Sequence, residues 1–227
     1  MRAGLYTRLW GSVLSLHVSI GASRAPSVLD TMERAAGAVF LLAAAPLIAA
    51  SAGIVSMLSR RSPFIAHQRV GEGGELLWVW KLRTMWTREA PEPRERGWVE
   101  YIVAEPLRGR KSPSDRRVTS RFAKLMRRYS IDELPQLWHV ARGEMSLVGP
   151  RPLTRTEVAR YYGARAEELL SVKPGITGIW QTRGRSAVAF PERAAMDLEL
   201  VNNLTLRNYF TILLRTLPAV FRGKGAW

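Results

Sequence analysis

The longest apolar run in the chain lies between Ala35 and Leu58, AAGAVFLLAAAPLIAASAGIVSML, with Arg34 just before it and Arg60-Arg61 just after. A helix of that length, rising ~1.5 Å per residue, is long enough to cross a hydrocarbon core of ~30 Å. Pro46 sits mid-run and predicts a kink. Cations at both ends suit both ends staying on the cytoplasmic side. Two forms are therefore open: a simple transmembrane helix, and a re-entrant helix, kinked at Pro46, that dips into one leaflet and returns. A shorter apolar stretch, Leu9–Ile20, follows a basic start, but the residues after it make a poor signal-peptide cleavage site. Residues 1–29 read as a variable extension.

Downstream the period changes. Leu76 to Arg83 alternates as a strand does, with Lys81 and Arg83 on one face. That face is either a basic strand edge or a cation pair suited to phosphate. Gly71 to Gly74 marks a tight turn and lacks the spacing of a dinucleotide fingerprint. Thr87–Asp115, rich in Pro, Arg and Glu, predicts a long solvated loop. Its Trp98, Tyr101, Ile102 and Val103 either pack beneath it or touch a membrane.

Arg116–Met126 predicts a helix, with Val118, Phe122, Leu125, Met126 and Tyr129 at three-to-four spacing. Arg117, Arg121, Lys124 and Arg128 lie off that stripe, facing either solvent or lipid headgroups. Residues 154–170 predict a second helix. A third carries Leu204, Leu206, Tyr209, Phe210, Leu213, Leu214, Leu217, Val220 and Phe221, with Arg207, Arg215, Arg222 and Lys224 around it. Such a basic amphipathic helix either packs on a core or lies on a membrane.

Composition narrows the partners. Among 227 residues, 34 are Lys or Arg and 19 are Asp or Glu, a net charge of +15. That excess implies an anionic partner: nucleic acid, anionic lipid or a phosphorylated substrate. The long uncharged segment argues against nucleic acid. There is no Cys, so neither a disulfide nor a Cys-ligated metal is open to the chain. His17, His67 and His139 are too scattered to form a metal-binding motif.

The candidate chemistry is concentrated between Arg116 and Leu153. An adjacent acid pair, Asp132-Glu133, is set among Arg121, Lys124, Arg127, Arg128, Arg142 and Arg151. Carboxylates near so many cations are held ionised, and an ionised carboxylate on an anion-binding surface is a candidate nucleophile toward phosphorus. The same residues have a plainer reading. Ser130-Ile131-Asp132-Glu133 fits a capping box at a helix start, although Pro135 fits poorly past a first turn. The helix is then either kinked there or begins near Pro135. Gly149-Pro150-Arg151-Pro152 is a stiff loop that presents Arg151 with little freedom. Lys173 to Ser186 is a Gly-punctuated loop with Lys, Thr, Gln and Arg donors, suited to phosphate or sugar oxygens or to turn chemistry alone.

These segments resemble the bacterial sugar transferase family, the monotopic phosphoglycosyl transferases that act on polyprenyl phosphate. The resemblance rests on Gln68, Arg69, Gly71, Lys81, Arg83, Thr84 and Met85, then Arg117-Val118-Thr119, Arg127 to Val140, Gly143 to Pro152 and Lys173 to Arg185, and covers roughly residue 30 to the C-terminus. It implies a nucleotide-diphosphate sugar donor, most simply a UDP-sugar, and a polyprenyl (undecaprenyl) phosphate acceptor. Asp132 would be the covalent nucleophile, with Glu133 and Mg2+ assisting; the metal would be held by Glu133 and Asp132. Lys81, Arg83, Arg127, Arg151, Thr177, Gln181 and Arg185 would bind substrate. The product would be a polyprenyl-diphosphate-sugar that initiates exopolysaccharide, O-antigen or glycoconjugate assembly.

The implied architecture is α+β and mostly helical. Residues 1–29 form the extension, 30–62 a re-entrant membrane helix, and 63–227 a compact catalytic domain with interfacial amphipathic helices. It would sit on the cytoplasmic face of the bacterial inner membrane against anionic lipid; a homodimer stays open. Four departures stand out. His139 replaces a common Asn, Glu144 a usual Asp, Glu199-Leu200 a usual aromatic pair and Tyr209 a usual Asp. Ala45 stands before Pro46 where some members have Ser. A non-catalytic basic membrane-binding module, with the acid pair only a cap, is the alternative.

Overall fold

The computed structural model of the chain describes residues 28–86, 95, 97–103, 120–184 and 187–222. Nearly all of the predicted extension 1–29, most of the predicted loop Thr87–Asp115, and Arg116, Arg117, Val118, Arg185 and Lys224 lie outside the described residues.

The apolar run forms helix α1, Val28–Ser59, which contains Pro46. Among the described residues it is the one helix long and apolar enough to cross a membrane. Its buried positions, Glu33, Gly37, Ile48, Ser51, Ala52, Val55 and Ser59, recur every three to four residues for much of its length and so share one face. That face rests on the rest of the protein at both ends. Near the start, Asp30 pairs with Lys173, and Arg34 Nη2 donates to the Arg142 carbonyl at 2.6 Å. A methyl group on Gly37 would lie 2.9 Å from the Ala141 nitrogen, so glycine lets the helix approach this closely. Near the end, Ala52 and Val55 pack with Leu82 and Met126. The remaining face is apolar and exposed, with Val39, Phe40, Leu42, Leu47 and Met57 uncovered.

The predicted strand is β2, Leu76–Leu82. It pairs antiparallel with β1, Phe64–Val70, in a register running from Phe64↔Leu82 to Val70↔Leu76. The glycine turn between them needs its glycines, since Gly73 and Gly74 have φ of 65° and 85°. β3, Val99–Ile102, lies parallel to β1 on its other side, giving the order β2-β1-β3. A second, two-stranded parallel sheet joins β4, Ser146–Val148, to β5, Gly175–Thr177.

Helix α2 runs Arg121–Arg128 and is capped by Ser120, whose hydroxyl accepts from the Ala123 N–H at 2.9 Å. It starts later and ends later than the predicted 116–126. A short 3₁₀ turn, Ile131–Gln136, follows, then α3, Leu137–Arg142. The predicted helix 154–170 is broken. α4, Arg155–Tyr161, and α5, Ala166–Leu170, are separated where Gly163 takes φ 50° and ends the first helix in the left-handed region. α6, Ile179–Arg183, and α7, Phe190–Asn202, precede the C-terminal helix α8, Leu206–Arg222. α8 has two distinct faces. Tyr209 and Ile212 pack with Val148 and Leu200, while Leu206, Phe210, Leu214, Leu217 and Phe221 form an exposed stripe.

Candidate active site

The acid pair lies on the 3₁₀ turn, not at the start of an α-helix. The predicted capping box does not form. A helix N-cap needs extended backbone so that its hydroxyl faces the first amides. Ser130 is instead left-handed, at φ 56° and ψ 24°, and its side chain caps nothing. Its carbonyl accepts the Glu133 N–H at 3.0 Å. Pro135 is accommodated in the 3₁₀ turn, and the α-helix begins two residues after it. The capping box that does form is Thr154 with Glu157, at the head of α4.

Glu133 is the hub of the charges. Its Oε1 meets Lys81 Nζ at 2.6 Å and both Nη atoms of Arg151 at 3.3 Å. Lys81 comes from β2 and Arg151 from the proline-flanked loop after β4, so three distant segments converge on one carboxylate. Burial pushes the Lys81 ammonium below its usual range, and the neighbouring Arg151 adds to that; Glu133 and Asp132 oppose it. Asp132 is half-buried beside this group.

A pair of glycine contacts holds the Arg151 loop against the 173–186 loop. A methyl group on Gly175 would sit 2.0 Å from the Gly149 nitrogen, and one on Gly149 would sit 2.6 Å from the Lys173 carbonyl. No side chain fits at either place. The Arg151 guanidinium stands 5.7 Å from the Trp180 ring, and Arg193 lies 4.6 Å from the same ring.

The other residues singled out from sequence divide. Arg83 does not share a site with Lys81: it is buried, pairs with Glu100, and donates through Nε to the Ser62 carbonyl at 2.7 Å. The ladder continues past Leu82, with the Arg83 N–H donating to the Pro63 carbonyl at 2.8 Å, and the Arg83 charge meets Glu100 where Lys81 meets Glu133. Arg127 lies in the last turn of α2, just before the acid pair. Thr177 is buried, its hydroxyl 2.8 Å from that of Thr216. Gln181 carries an enclosed side-chain amide whose N and O both lack a protein partner. An unpaired buried amide costs about 1–3 kcal/mol, which a ligand's polar groups would offset. Pro46 lies in α1, remote in sequence from the acid pair. Arg185 lies outside the described residues.

Three features escaped the sequence reading. Asp197 is 1% exposed, and its Oδ2 accepts from the Tyr162 hydroxyl at 2.8 Å. Burial pushes its carboxyl up to about 7, against the contrary pull of Tyr162, Trp180 and Arg151. Glu33 on α1 accepts through one oxygen from Ser146 Oγ at 2.5 Å, from the Leu147 N–H at 2.9 Å and from the Tyr209 hydroxyl. Two departures from the family pattern, His139 and Glu144, touch each other: Nδ1 of the buried ring lies 2.6 Å from Glu144 Oε2. A carboxylate inside an apolar helix, as at Glu33, and an acid five residues beyond a histidine are signals a sequence carries, but neither names its partner.

Oxygen donors suited to magnesium are present in Asp132 and Glu133, and among the described residues no cluster of three or more His, Asp or Glu surrounds them. That set fits an ion commonly held by one or two carboxylates and completed by substrate phosphates and water. A small cavity of about 10 Å³ lies beside Arg151, lined in part by Val70, Gly71, Pro150 and Pro174. The acid pair lies outside it.

The sequence profile of bacterial sugar transferases matches residues 25–223. The chain belongs to the bacterial sugar transferase family. It is therefore an enzyme of the phosphoglycosyl transferase type. It is 37% identical over 193 residues to the exopolysaccharide production protein ExoY of Sinorhizobium fredii, covering 82% of each chain. It is 35% identical over 209 residues to a UDP-glucose:undecaprenyl-phosphate glucose-1-phosphate transferase of Caulobacter vibrioides, covering 88% of this chain and 71% of that one. With an undecaprenyl-phosphate galactose phosphotransferase of Salmonella typhimurium the identity is 40% over 162 residues, 71% of this chain and 34% of the larger relative.

Proposed function

We propose that this bacterial sugar transferase moves a sugar 1-phosphate from a UDP-sugar to a polyprenyl phosphate in two displacements at phosphorus. The Asp132 carboxylate attacks the phosphate that bears the sugar. A new O–P bond forms, the bond to UMP breaks, and a sugar phosphate is left on Asp132 as an acyl phosphate. An oxygen of polyprenyl phosphate then attacks that phosphorus, freeing Asp132 and giving polyprenyl-diphosphate-sugar, the starting unit of exopolysaccharide or related glycan assembly. Magnesium held by Glu133 and Asp132 would neutralise charge on the diphosphate. Lys81 and Arg151 supply fixed positive charge beside the reacting phosphate and orient Glu133, and the unpaired amide of Gln181 offers both a donor and an acceptor to donor oxygens.

The observation that carries this reading is the convergence on Glu133, next to Asp132, of Lys81 from β2 and Arg151 from the loop after β4. The Salmonella and Caulobacter relatives, both named for sugar-phosphate transfer to undecaprenyl phosphate, support the acceptor class, and the Caulobacter one, named for UDP-glucose, supports the donor class.

The membrane has a part in this scheme. Both ends of α1 are fastened to the same body, Asp30 to Lys173 and Val55 to Leu82 and Met126. A crossing that put those ends on opposite faces of a bilayer would break one set of contacts. The helix would therefore enter one leaflet from the cytoplasmic face and return, with Pro46 at its deepest part. The exposed stripe of α8, flanked by Arg207 and Arg215, would lie on the same anionic surface and keep the acid pair near lipid phosphates.

The test is the intact mass of detergent-solubilised protein mixed with magnesium and a panel of UDP-sugars, without lipid acceptor. A gain of one sugar phosphate, absent in Asp132→Asn and lost with polyprenyl phosphate, is the expected result. Full transfer activity in a folded Asp132→Asn protein would overturn the covalent step, and no transfer with any donor would leave the membrane-binding module as the reading.

A further inference from the structure

His139 is 4% exposed, and both of its ring nitrogens are engaged. Nε2 faces the Trp80 backbone N–H at 3.3 Å, and Nδ1 faces Glu144 Oε2 at 2.6 Å. Trp80 can only donate, so Nε2 must be the bare acceptor and Nδ1 must carry the proton. Glu144 accepts the hydrogen bond from Nδ1–H and is itself held by Arg142 Nε at 2.7 Å on its other oxygen. The ring is therefore locked in one neutral tautomer. Burial pushes the ring below its usual range, against the pull of Glu144.

The two bonds join the two elements that build the charge cluster. Trp80 belongs to β2, the outer strand of the three-stranded sheet, and its N–H leaves the sheet edge. The next residue is Lys81. His139 belongs to α3, which continues from the turn carrying Asp132 and Glu133. The ring thus spans from the backbone beside the lysine to the helix behind the acids.

We propose that His139 is a positioning residue that sets Lys81 against the Asp132-Glu133 turn by capping the Trp80 N–H. This rests on the phosphotransfer reading above. The Lys81–Glu133 contact is 2.6 Å, and a drift of roughly 1 Å in β2 is enough to slow chemistry about a hundredfold. A part-buried edge amide that loses its acceptor would supply the force for that drift.

Two near-isosteres separate the bonds. In His139→Gln the side-chain oxygen takes the place of Nε2 and accepts from Trp80, while the bond to Glu144 is lost. In His139→Asn the amide takes the place of Nδ1 and donates to Glu144, while Trp80 is left bare. Two readouts apply: the single-turnover rate of sugar-phosphate addition across donor concentrations, and amide hydrogen exchange of the peptide containing Trp80.

We expect His139→Gln to stay within about threefold of the wild-type rate, and His139→Asn to fall about ten- to hundredfold at saturating donor with half-saturation little changed. Exchange at Trp80 should be protected in the first variant and fast in the second. Equal rates and equal exchange in the two variants would overturn the proposal, leaving the ring a packing group. If His139→Asn does not fold, 15N NMR of the wild-type ring decides: a bare Nε2 accepting from the Trp80 N–H supports the proposal, and a proton on Nε2 overturns it. Should the wild-type protein form no adduct with any donor, the phosphotransfer reading has failed, and Trp80 exchange still decides whether His139 caps β2.

Discussion

At the scale of single residues, Glu133 is set apart from Asp132 by its partners. A carboxylate that receives Lys81 and Arg151 together is held in place and weakened as a nucleophile, and in the proposed scheme it is Asp132 that attacks phosphorus. Lys81→Met should therefore lower the rate of sugar-phosphate addition about a hundredfold or more, the scale seen when one preorganised charge donor is removed. Single-turnover mass measurements check this, and a rate within a few-fold of wild type would show that Arg151 alone suffices. A second prediction concerns Asp197. Its folded carboxyl binds a proton up to about pH 7, against an ordinary value near 4, so the folded state holds more protons than the unfolded state between those limits. Stability from this residue is present at acid pH and is lost as pH rises toward 7, by up to about 4 kcal/mol. His139 has the opposite sign, since its folded value is lowered: its contribution is present above about pH 6.5 and is lost as pH falls. Asp197→Asn should remove the first slope and leave the second. In tryptophan-monitored unfolding the variant should gain stability relative to wild type at pH 8 and little at pH 5. An equal difference at both values would remove Asp197 as the titrating group.

At the scale of elements, the close pairing of β4 and β5 depends on Gly149 and Gly175 being without side chains. Gly175→Ala places a methyl 2.0 Å from a backbone nitrogen, where no rotamer can relieve it. The strands must part, and with them the Arg151 loop and the loop carrying Thr177 and Gln181. Loss of both adduct formation and cooperative unfolding is expected, whereas Gly53→Ala, which meets nothing within 4 Å, should melt as wild type does. This element also shows how far the sequence could be read. β2 was legible from its alternation, and the glycine turn and stiff proline loop from residues that permit few conformations. The break at Gly163 was not, because an apolar period runs across it and only its positive φ ends the helix. The absent capping box at Ser130 has a similar cause. The local pattern suits a cap, but the left-handed serine and Pro135 build a 3₁₀ turn that aims the acids at Lys81 and Arg151. Those partners lie far apart in sequence, so local pattern could nominate Asp132-Glu133 and not state which cations meet Glu133. The partner of Arg83, Glu100, lies on a third strand and was equally out of reach of local pattern.

At the scale of the whole molecule, the placement of α1 against the bilayer has the widest consequences and can be tested cleanly. Because the chain has no cysteine, any introduced thiol is the sole site of labelling. Val28 and Met57 lie near opposite ends of α1, are 79% and 81% exposed, and belong to none of the contacts that fasten the helix. If both ends share one side of the membrane, Val28→Cys and Met57→Cys should both react with an impermeant maleimide in inverted inner-membrane vesicles and both resist it in spheroplasts. Reaction in detergent shows that each thiol is chemically competent. A spanning helix gives the opposite pattern, with one thiol reacting only in vesicles and the other only in spheroplasts. That result would require Asp30–Lys173 or the Val55–Leu82–Met126 packing to be broken in the membrane. The β4 end of the site would then move as well, because Glu33 on the same helix is bonded to Ser146, Leu147 and Tyr209. The labelling pattern therefore reports on more than topology: same-side labelling means that the surface holding α1 at the lipid is continuous with the strand that presents Arg151 to Glu133.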